Sequence, residues 1–283
     1  MAKVTIIIPV YNGAAFLPEL LDSIIAQTSK DWNCICVNDG STDDSLALLT
    51  RYAERDNRIT VIDQPNGGCG TARNTAMRQV KTPFVTFADQ DDILHPQAFE
   101  IAVDTIETSG VDCLCFEFSR FLERPDFPHL APPAAIAPAQ KRGTDLITGT
   151  HDSWPIFVWQ HIFKTASVKG IPFPPVSGGE DQAWMSELSW NNLSWASIPS
   201  ILYANRERPD SQSRGISNRY IDCVFTSYDW IRQRARRHDV PPKWLSQYIR
   251  HMAVMFTLSV AYRSPGKLLH ALGKLRRCLL NRS

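Results

Sequence analysis

Short β-branched runs alternate with helical patterns through the first 118 residues, and this alternation constrains the fold more than any other feature of the chain. Strands are predicted at VTIII, CICVN, ITVID, FVTFA and VDCLCFEF. Helices are predicted between them, from about Ala14 to Gln27, from Asp43, from about Gly70 and after Pro96. The pattern is typical of βαβ units and predicts an α/β fold with a mainly parallel central sheet. In such sheets ligands bind beyond the carboxyl ends of the strands.

Three polar clusters stand where these strands end: PVYNG, NDGSTDDS and ADQDD. We expect them to converge on one crevice. In the third cluster Asp89, Asp91 and Asp92 fall within four positions, and carboxylates this close repel one another unless a cation or hydrogen-bond donors lie between them. A solvated turn is one explanation. Because the cluster follows a buried strand, we favour a site for Mg²⁺ or Mn²⁺ shared with a diphosphate.

Two further motifs precede predicted helices. Asp39 ends the second strand, and Gly40 permits a tight turn into the next helix. Any α/β protein needs such turns, but a carboxylate at a strand end can also accept hydrogen bonds from a base N–H or a ribose hydroxyl. NGGCGTARNTAM places Arg73 near the start of a helix, where it suits a phosphate or a nearby carboxylate. An ordinary surface ion pair is the alternative for Arg73.

Charge is unevenly distributed along the chain. Residues 1–214 carry 17 basic and 26 acidic side chains, whereas residues 215–283 carry 13 and 3. In the last helical segment a leucine stripe lies opposite Lys267, Lys274 and Arg277; its members are Leu268, Leu272, Leu275 and Leu279. This segment, 265–283, is predicted to rest on an anionic membrane surface or to pack on the body with a solvated basic face.

Composition excludes several classes of protein. Seven cysteines, with Cys34 and Cys36 spaced to share one face of a strand, fit buried thiols in a reducing compartment better than disulfides or a zinc site. No apolar run reaches the length of a membrane span, and the N-terminus lacks the features of a signal peptide. We expect a soluble cytoplasmic protein, peripheral to the membrane at most, with no nucleic-acid partner.

Four motifs in order, VTIIIPVYNG, QTSKDWNCICVNDGSTDDS, GTARNTAM and FADQDD, resemble the N-terminal half of an inverting family 2 glycosyltransferase. The resemblance continues more loosely through VWQHIFK, GIPF and GGED to a Y-x-x-R…S-x-S pattern at 203–213, and it does not cover the tail from about Ile216. It implies a GT-A domain, a Rossmann-like nucleotide-binding fold, over residues 1–214. Residues 1–118 would form its nucleotide-sugar-binding half and 119–214 its acceptor-binding half, joined by a Pro- and Ala-rich connection at 124–143. A basic helical region would follow at 215–283.

The resemblance implies a pocket for the nucleotide base lined by Pro9, Tyr11, Asp39 and Arg73. Asp39 would accept a hydrogen bond from a uracil-like N–H. The donor would accordingly be a nucleoside diphosphate sugar, most simply a UDP-sugar.

The resemblance also implies the catalytic residues. Asp91 would be the direct ligand of Mn²⁺ or Mg²⁺, with Asp89 near the ribose and the metal. Asp92 would lie toward the donor sugar or support the turn. Asp181 would be the catalytic base, and Glu180 beside it would contact the acceptor.

Two positions depart from the family pattern. Asn38 stands where the strand often carries a second acid, and the loop after the last strand offers Arg206, Arg208, Ser211 and Ser213 where many relatives have a His. We expect Arg206 to supply the positive charge that helps to hold the diphosphate.

The expected function is sugar transfer to a hydroxyl of a saccharide or lipid-linked acceptor, in bacterial-type cell-surface polysaccharide or glycolipid synthesis. An inactive nucleotide-sugar-binding scaffold is one alternative, opposed by the joint presence of Asp91 and Asp181. A sugar nucleotidyltransferase is another, but it would need a Gly-rich, Arg- or Lys-bearing loop directly after the first strand, which PVYNGAAF is not.

Overall fold

We describe a computed structural model of the 283-residue chain. It describes residues 1–123, 125, 127, 141–142, 157–176, 178–191, 193–208, 216–238 and 240–280. Most of the predicted connection at 124–143, together with Ser211 and Ser213, lies outside the described residues.

The strands of the described residues are β1 (Val4–Val10), β2 (Trp32–Asp39), β3 (Ile59–Gln64), β4 (Phe84–Phe87), β5 (Ile93–Leu94), β6 (Cys113–Phe121), β7 (Lys141–Arg142), β8 (His161–Lys164) and β9 (Ser194–Arg206). Their helices are α1 (Leu17–Ile25), α2 (Ser45–Arg55), α3 (Cys69–Met77), α4 (Ala98–Ser109), α5 (Thr165–Val168), α6 (Glu180–Trp190), α7 (Asn218–Ala235), α8 (Pro242–Arg263) and α9 (Leu268–Leu280). Short 3₁₀ turns cover Val158–Gln160 and Pro265–Lys267.

Within the part of the chain that the structure describes, the strands form one sheet in the order β3-β2-β1-β4-β8-β6-β9-β5, with β7 paired to β9. The first four run parallel, so their carboxyl ends meet at one edge, as the sequence predicts. β8 pairs antiparallel with both β4 and β6, while β6 and β9 run parallel. The carboxyl end of β9 therefore reaches the same region as the turn after β4, where β5 pairs with it.

The sheet is buried on both faces, which explains the continuous apolar runs. Ile6 and Ile8 pack into one core with α1 and α4, and Ile7 packs into the other with α3 and α6. The sulfur atoms of Cys34 and Cys36 lie 3.5 Å apart, which confirms that the two thiols share one face of β2.

The first two helices begin later than the sequence predicts. α1 starts at Leu17 because the backbone N–H groups of Gly13 and Ala14 donate to Ser45 Oγ and Asp43 Oδ2, which holds this segment in a turn. α2 starts at Ser45, whose N–H donates to Asp43 Oδ1 at 3.0 Å.

Helices α7, α8 and α9 form a third core, which includes Ala183 of α6. Glu187 of α6 is buried, and Arg234 of α7 donates to both of its carboxylate oxygens. The C-terminal helices are therefore joined to the α/β body by apolar packing and by the ion pair between Arg234 and the buried Glu187.

The predicted leucine stripe of the last helix divides between two environments. Leu275 of α9 packs on the third core beside the buried Ala271 and Cys278, whereas Leu272 is exposed. Spacing alone could not choose the inner face because apolar residues of α9 also lie outside the stripe, among them Leu269 and Leu280. Among the described residues, no helix is both long and apolar enough to cross a bilayer.

Candidate active site

The loops that follow β1, β2 and β4 are bound to one another at the carboxyl edge of the sheet. The N–H of Tyr11 donates to Gln90 Oε1 at 2.8 Å, and Gln90 Nε2 donates to Tyr11 O at 3.0 Å. Asn12, in the left-handed region at a φ of 51°, accepts from the N–H of Thr42 at 2.8 Å. Gln90 and Asn12 thus fasten the three polar clusters together, as their positions at the strand ends predict.

The first of these loops presents an aromatic ring to solvent. Pro9 is buried in β1 opposite Val37 of β2, while Tyr11 two residues later is 47% exposed. Because its backbone is held on both sides by Gln90, the exposed ring is carried by a fixed main chain.

Asp39 organises the glycine loop that leads into α3. Its Oδ1 accepts from Gln64 Nε2 at 2.8 Å and from the N–H of Gly67 at 2.9 Å, and its Oδ2 accepts from the N–H of Gly68 at 2.8 Å. An ionised carboxylate offers about four acceptor positions, so capacity for one further donor remains on Oδ2. The assignment of Pro9, Tyr11 and Asp39 to a nucleotide base stays a prediction.

Helix α3 approaches the segment before α6 very closely. A Cβ on Gly70 would lie 2.0 Å from Pro174 O, so only glycine allows this contact. Asn74 then bridges the two segments, donating to Phe173 O at 2.9 Å and accepting from the N–H of Phe173 at 2.8 Å. These contacts set Arg73 of α3 beside the first turn of α6.

Arg73 is 1% exposed and gathers three carboxylates. Its Nη1 donates to Asp181 Oδ1 at 2.6 Å and to Glu180 Oε1 at 3.0 Å, and its Nη2 donates to Asp89 Oδ1 at 3.1 Å. The sequence predicts a phosphate or a nearby carboxylate as the partner of Arg73, and in the structure its partners are carboxylates. We call this set (Arg73, Asp89, Glu180 and Asp181) the carboxylate cluster.

The pKa values of the carboxylate cluster follow from crowding in a desolvated place. Desolvation raises the pKa of Asp181 to about 7, with Arg73 opposing the rise and the charges of Glu180 and Asp89 adding to it. Desolvation likewise raises the pKa of Asp89 to about 6, again against Arg73 and with help from Asp91 and Glu180. Burial alone would lower the pKa of Arg73, but its acidic neighbours raise it well above its ordinary value. The single positive charge of Arg73 therefore cannot neutralise all three of its carboxylate neighbours.

Asp181 is held at both oxygens. Besides the bond from Arg73 to Oδ1, the N–H of Val158 approaches Oδ2 at 3.3 Å. Asp181 and Glu180 also occupy the first turn of α6, where the helix dipole favours negative charge. A carboxylate that is fixed in this way and has a pKa near neutrality is suited to accept a proton.

Asp92 is hydrogen-bonded to the end of β9, and its predicted role, toward the donor sugar or in supporting the turn, stays a prediction. It is buried and accepts from Tyr203 Oη at 2.6 Å, from the N–H of Arg206 at 2.8 Å and from Asn205 Nδ2 at 3.2 Å. Tyr203 Oη also accepts from the N–H of Asp89 at 3.0 Å. The end of β9 therefore shapes the turn that carries Asp89 and Asp91.

Arg206 and Arg208, at the end of β9, have different partners. Arg206 lies over Phe121, donates from Nε to Asp91 O at 2.9 Å and pairs with Glu19. The side chain of Arg208 pairs with Asp91 itself, with Nε 2.8 Å from Oδ2. Arg208 is thus the arginine whose charge lies on the predicted metal ligand, and the assignment of Arg206 to a bound diphosphate stays a prediction.

A ladder of stacked aromatic rings leads from Asp92 to the surface beside Asp181. Trp159 stacks on Tyr203 with ring centroids 4.6 Å apart, and Phe157 stacks on Trp159 at 4.9 Å. Phe157 is 39% exposed and directly precedes Val158, whose N–H points to Asp181. The sequence motifs did not assign Phe157, Gln90 or Asn74 to the site.

Asp89 and Asp91 are the candidate ligands for a divalent cation. Within the described residues, no group of three or more His, Cys, Asp or Glu side chains is arranged to hold a metal. Asp89 and Asp91 are nevertheless hard oxygen donors at one turn, and each raises the other's local negative potential. Two carboxylates suit Mg²⁺ or Mn²⁺ when phosphate oxygens complete the coordination, so the residues present fit a shared site.

A protein-family model matches the part of the chain that contains the loops after β1, β2 and β4. The model of glycosyl transferase family 2 matches residues 5–158, which is more than half of the chain. The chain therefore belongs to glycosyl transferase family 2.

Two curated relatives are similar to the N-terminal part. Glycosyltransferase GlyA of Streptococcus pneumoniae serotype 4 is 47% identical over 121 residues, covering 43% of this chain and 17% of GlyA. The poly(ribitol-phosphate) beta-glucosyltransferase of Bacillus spizizenii is 39% identical over 100 residues, covering 34% of this chain and 16% of the relative. The chain thus spans less than a fifth of the length of either protein.

Among solved structures, TarS residues 1–349 of S. aureus in complex with UDP-GlcNAc superposes with a TM-score of 0.73. The match covers 99% of this chain and 82% of that one, at 22% sequence identity. This likeness confirms the predicted GT-A fold.

Proposed function

We propose that this chain is a metal-dependent inverting glycosyltransferase that moves a sugar from a UDP-sugar to an acceptor hydroxyl, with Asp181 as the catalytic base. The observation that carries the proposal is the carboxylate cluster, which lies at the carboxyl edge of the parallel strands beside the loops of Tyr11 and Asp39. Family membership supports transfer of a glycosyl group.

The nucleotide base binds between Tyr11 and Asp39. The exposed ring of Tyr11 offers a face for stacking, and the remaining acceptor position of Asp39 suits the N–H of uracil. The TarS complex contains UDP-GlcNAc, which supports a UDP-linked donor without fixing the sugar.

Asp91 and Asp89 would hold Mn²⁺ or Mg²⁺ together with the diphosphate. When bound, the cation supplies positive charge that stabilises the departing diphosphate. Arg208, whose Nε lies 2.8 Å from Asp91 Oδ2, would add positive charge beside the diphosphate. Arg206 keeps the turn in place through Asp91 O and Glu19.

Asp181 performs the proton transfer. One carboxylate oxygen takes the proton of the acceptor hydroxyl while that oxygen forms a bond to the anomeric carbon of the donor. The bond from the anomeric carbon to the diphosphate oxygen breaks on the opposite face, and its electron pair leaves with the diphosphate. The configuration at the anomeric carbon inverts. Glu180 lies on the acceptor side, where its second oxygen can accept from an acceptor hydroxyl.

The acceptor approaches past Phe157, whose exposed ring lies next to Val158 and Asp181. An aromatic face of this kind suits the apolar side of a sugar ring. The similarity to a poly(ribitol-phosphate) glucosyltransferase supports a cell-surface polysaccharide or glycolipid as the product. The buried free thiols Cys34 and Cys113 support a reducing, cytoplasmic location.

An inactive scaffold that only binds nucleotide sugars is the second candidate function. The position of Asp181 argues against it, because Arg73 and the N–H of Val158 hold this carboxylate where an acceptor could meet it and binding alone needs no base there. Nucleotidyl transfer is disfavoured by family membership.

A screen of nucleotide sugars for hydrolysis tests the proposal. We expect slow release of UDP from one or a few UDP-sugars in the presence of Mn²⁺, and none in the presence of a chelator. Binding of a nucleotide sugar with neither hydrolysis nor transfer to any acceptor tested would favour the scaffold.

A further inference from the structure

Helices α8 and α9 present large apolar side chains to solvent. Leu269 of α9 is 86% exposed and Tyr262 of α8 is 90% exposed, and four others join them: Met255, Leu258, Leu272 and Leu280. The two helices are joined by the short turn at Pro265–Lys267 and pack on each other. We call the surface made by these six residues the hairpin surface.

The exposed side chains fall on one face of each helix. On α9, Leu269, Leu272 and Leu280 lie at helical spacing, opposite the buried Ala271 and Cys278. On α8, Leu258 and Tyr262 are one turn apart, while Val260 between them is buried. The core of the helical region is therefore complete without these residues, and their exposure is not required by packing.

The elements that carry the hairpin surface also carry exposed cations. Lys267, Arg276 and Arg277 are exposed on α9 and the turn before it. Residues 215–283 contain 13 basic and only 3 acidic residues. Two of those acids already have cationic neighbours: Asp222 pairs with Lys274, and Asp229 pairs with Arg232. The surface thus combines apolar side chains with positive charge in excess.

We propose that the hairpin surface binds an anionic lipid bilayer, with α9 lying in the plane of the membrane interface. A helix of 13 residues is about 20 Å long, too short to cross a hydrocarbon core of about 30 Å. Leucines that enter the acyl boundary, flanked by Lys and Arg that meet anionic headgroups, are the features of an in-plane helix. Tyr262 supplies an aromatic ring suited to the headgroup level.

The same charges disfavour a second copy of the chain as the occupant. Pairing two hairpin surfaces would bring Arg276 and Arg277 of one copy toward those of the other, and like charges at an interface oppose association. An anionic bilayer neutralises them instead.

Co-sedimentation of the full chain with vesicles tests this proposal without relying on sugar transfer. We expect binding to phosphatidylcholine vesicles that contain phosphatidylglycerol, little binding to phosphatidylcholine alone, and loss of binding in high salt. Leu269→Asn combined with Leu280→Asn should lower the partition coefficient about tenfold or more. Leu122→Asn is the matched control, because Leu122 is 68% exposed on the catalytic body and Leu280 is 66% exposed.

Charge is tested separately. Arg276→Gln with Arg277→Gln should weaken binding to anionic vesicles, whereas Arg51→Gln with Arg55→Gln, exposed on α2, should not. Deleting residues 265–283 is a less specific test because it also removes Leu275 and Cys278 from the third core.

The proposal is overturned if the full chain ignores anionic vesicles at low salt. It is also overturned if Leu122→Asn reduces vesicle binding as much as the Leu269 and Leu280 pair does. If sedimentation velocity shows a dimer that Leu269→Asn dissociates, and vesicles do not bind, a second copy covers the surface and the bilayer is wrong.

Discussion

The carboxyl edge of the sheet and the C-terminal helical region both carry many charged side chains, but the charges are buried at the edge and exposed on the helices. At the edge, the buried Arg73 is shared by Asp89, Glu180 and Asp181, which leaves an excess of negative charge in a desolvated place. In the helical region, cations such as Arg276 and Arg277 are spread over an exposed surface. Charge at the edge is coupled to its neighbours, and charge on the helices is screened by water.

This contrast predicts where a single substitution has a large effect. Removing one group from the carboxylate cluster changes the pKa values and the stability of the others, because each shift has the neighbours among its causes. Removing one exposed cation from the helical surface changes only the total charge of that surface.

Asp181→Asn should lower the rate of sugar transfer by about 10² to 10⁴ while leaving donor affinity nearly unchanged. The amide keeps the size of the side chain but cannot take the hydroxyl proton. Product formation and donor titration measure the two effects, with Glu54→Gln, exposed on α2, as the control. If Asp181→Asn keeps more than about a tenth of the rate with chemistry rate-limiting, Asp181 is not the base.

Arg73→Met should lower the free energy of unfolding by about 3–5 kcal/mol at pH 8, because it leaves three carboxylates without their shared cation. The loss should be smaller at pH 5, where the raised pKa values of Asp181 and Asp89 allow them to be protonated and neutral. Denaturant titrations at both pH values check this. Arg120→Met is the control, since the exposed Arg120 lies 3.7 Å from Glu207 and such pairs contribute about 1 kcal/mol or less.

Glu180→Gln should move the acid limb of kcat/KM to lower pH. A base must be ionised, so wild-type activity should fall as the pH drops below about 7, the pKa of Asp181. The charge of Glu180 contributes to that raised pKa, and its removal lets Asp181 stay ionised at lower pH. A limb that stays in place, or that moves equally in the distant variant Glu54→Gln, would contradict the assignment.

Arg276→Gln with Arg277→Gln should change the free energy of unfolding by no more than about 0.5 kcal/mol, the usual effect of exposed substitutions. Arg234→Gln, in the same helical region, should cost more than this double variant because it leaves the buried Glu187 without its bidentate partner. Thermal or denaturant unfolding compares them. Equal costs would mean that burial does not separate the two kinds of charge.

The local parts of the fold and site could be predicted from the sequence. Strands β1 to β4 follow from apolar runs bounded by turn residues, and the convergence of their polar ends follows from parallel pairing. The turn at Asp39 and the close packing at Gly70 belong to short motifs in which neighbouring residues determine the geometry.

The long-range parts could not be predicted. Arg73 and Asp181 are 108 residues apart, and no spacing rule pairs them. Which arginine pairs with the carboxylate of Asp91 depends on where β9 ends, because the backbone bond from Arg206 to Asp92 directs that side chain toward Asp91 O and Glu19 and leaves Arg208 beside Asp91 Oδ2. The leucines of α9 lie in two environments, core and solvent, because apolar residues of that helix extend beyond the face that packs on the third core.

Calorimetric titration with UDP, with Mn²⁺ and with a chelator, tests the central claim most directly. We expect wild-type protein to bind UDP with Mn²⁺ and to bind it much more weakly with chelator. Asp91→Asn should reduce binding far more than Asp92→Asn, whose side chain is buried against Tyr203 and Asn205 and supports the turn. Equal UDP binding with Mn²⁺ and with chelator, or equal binding by the two variants, would contradict the account of a metal-assisted donor site at Asp91.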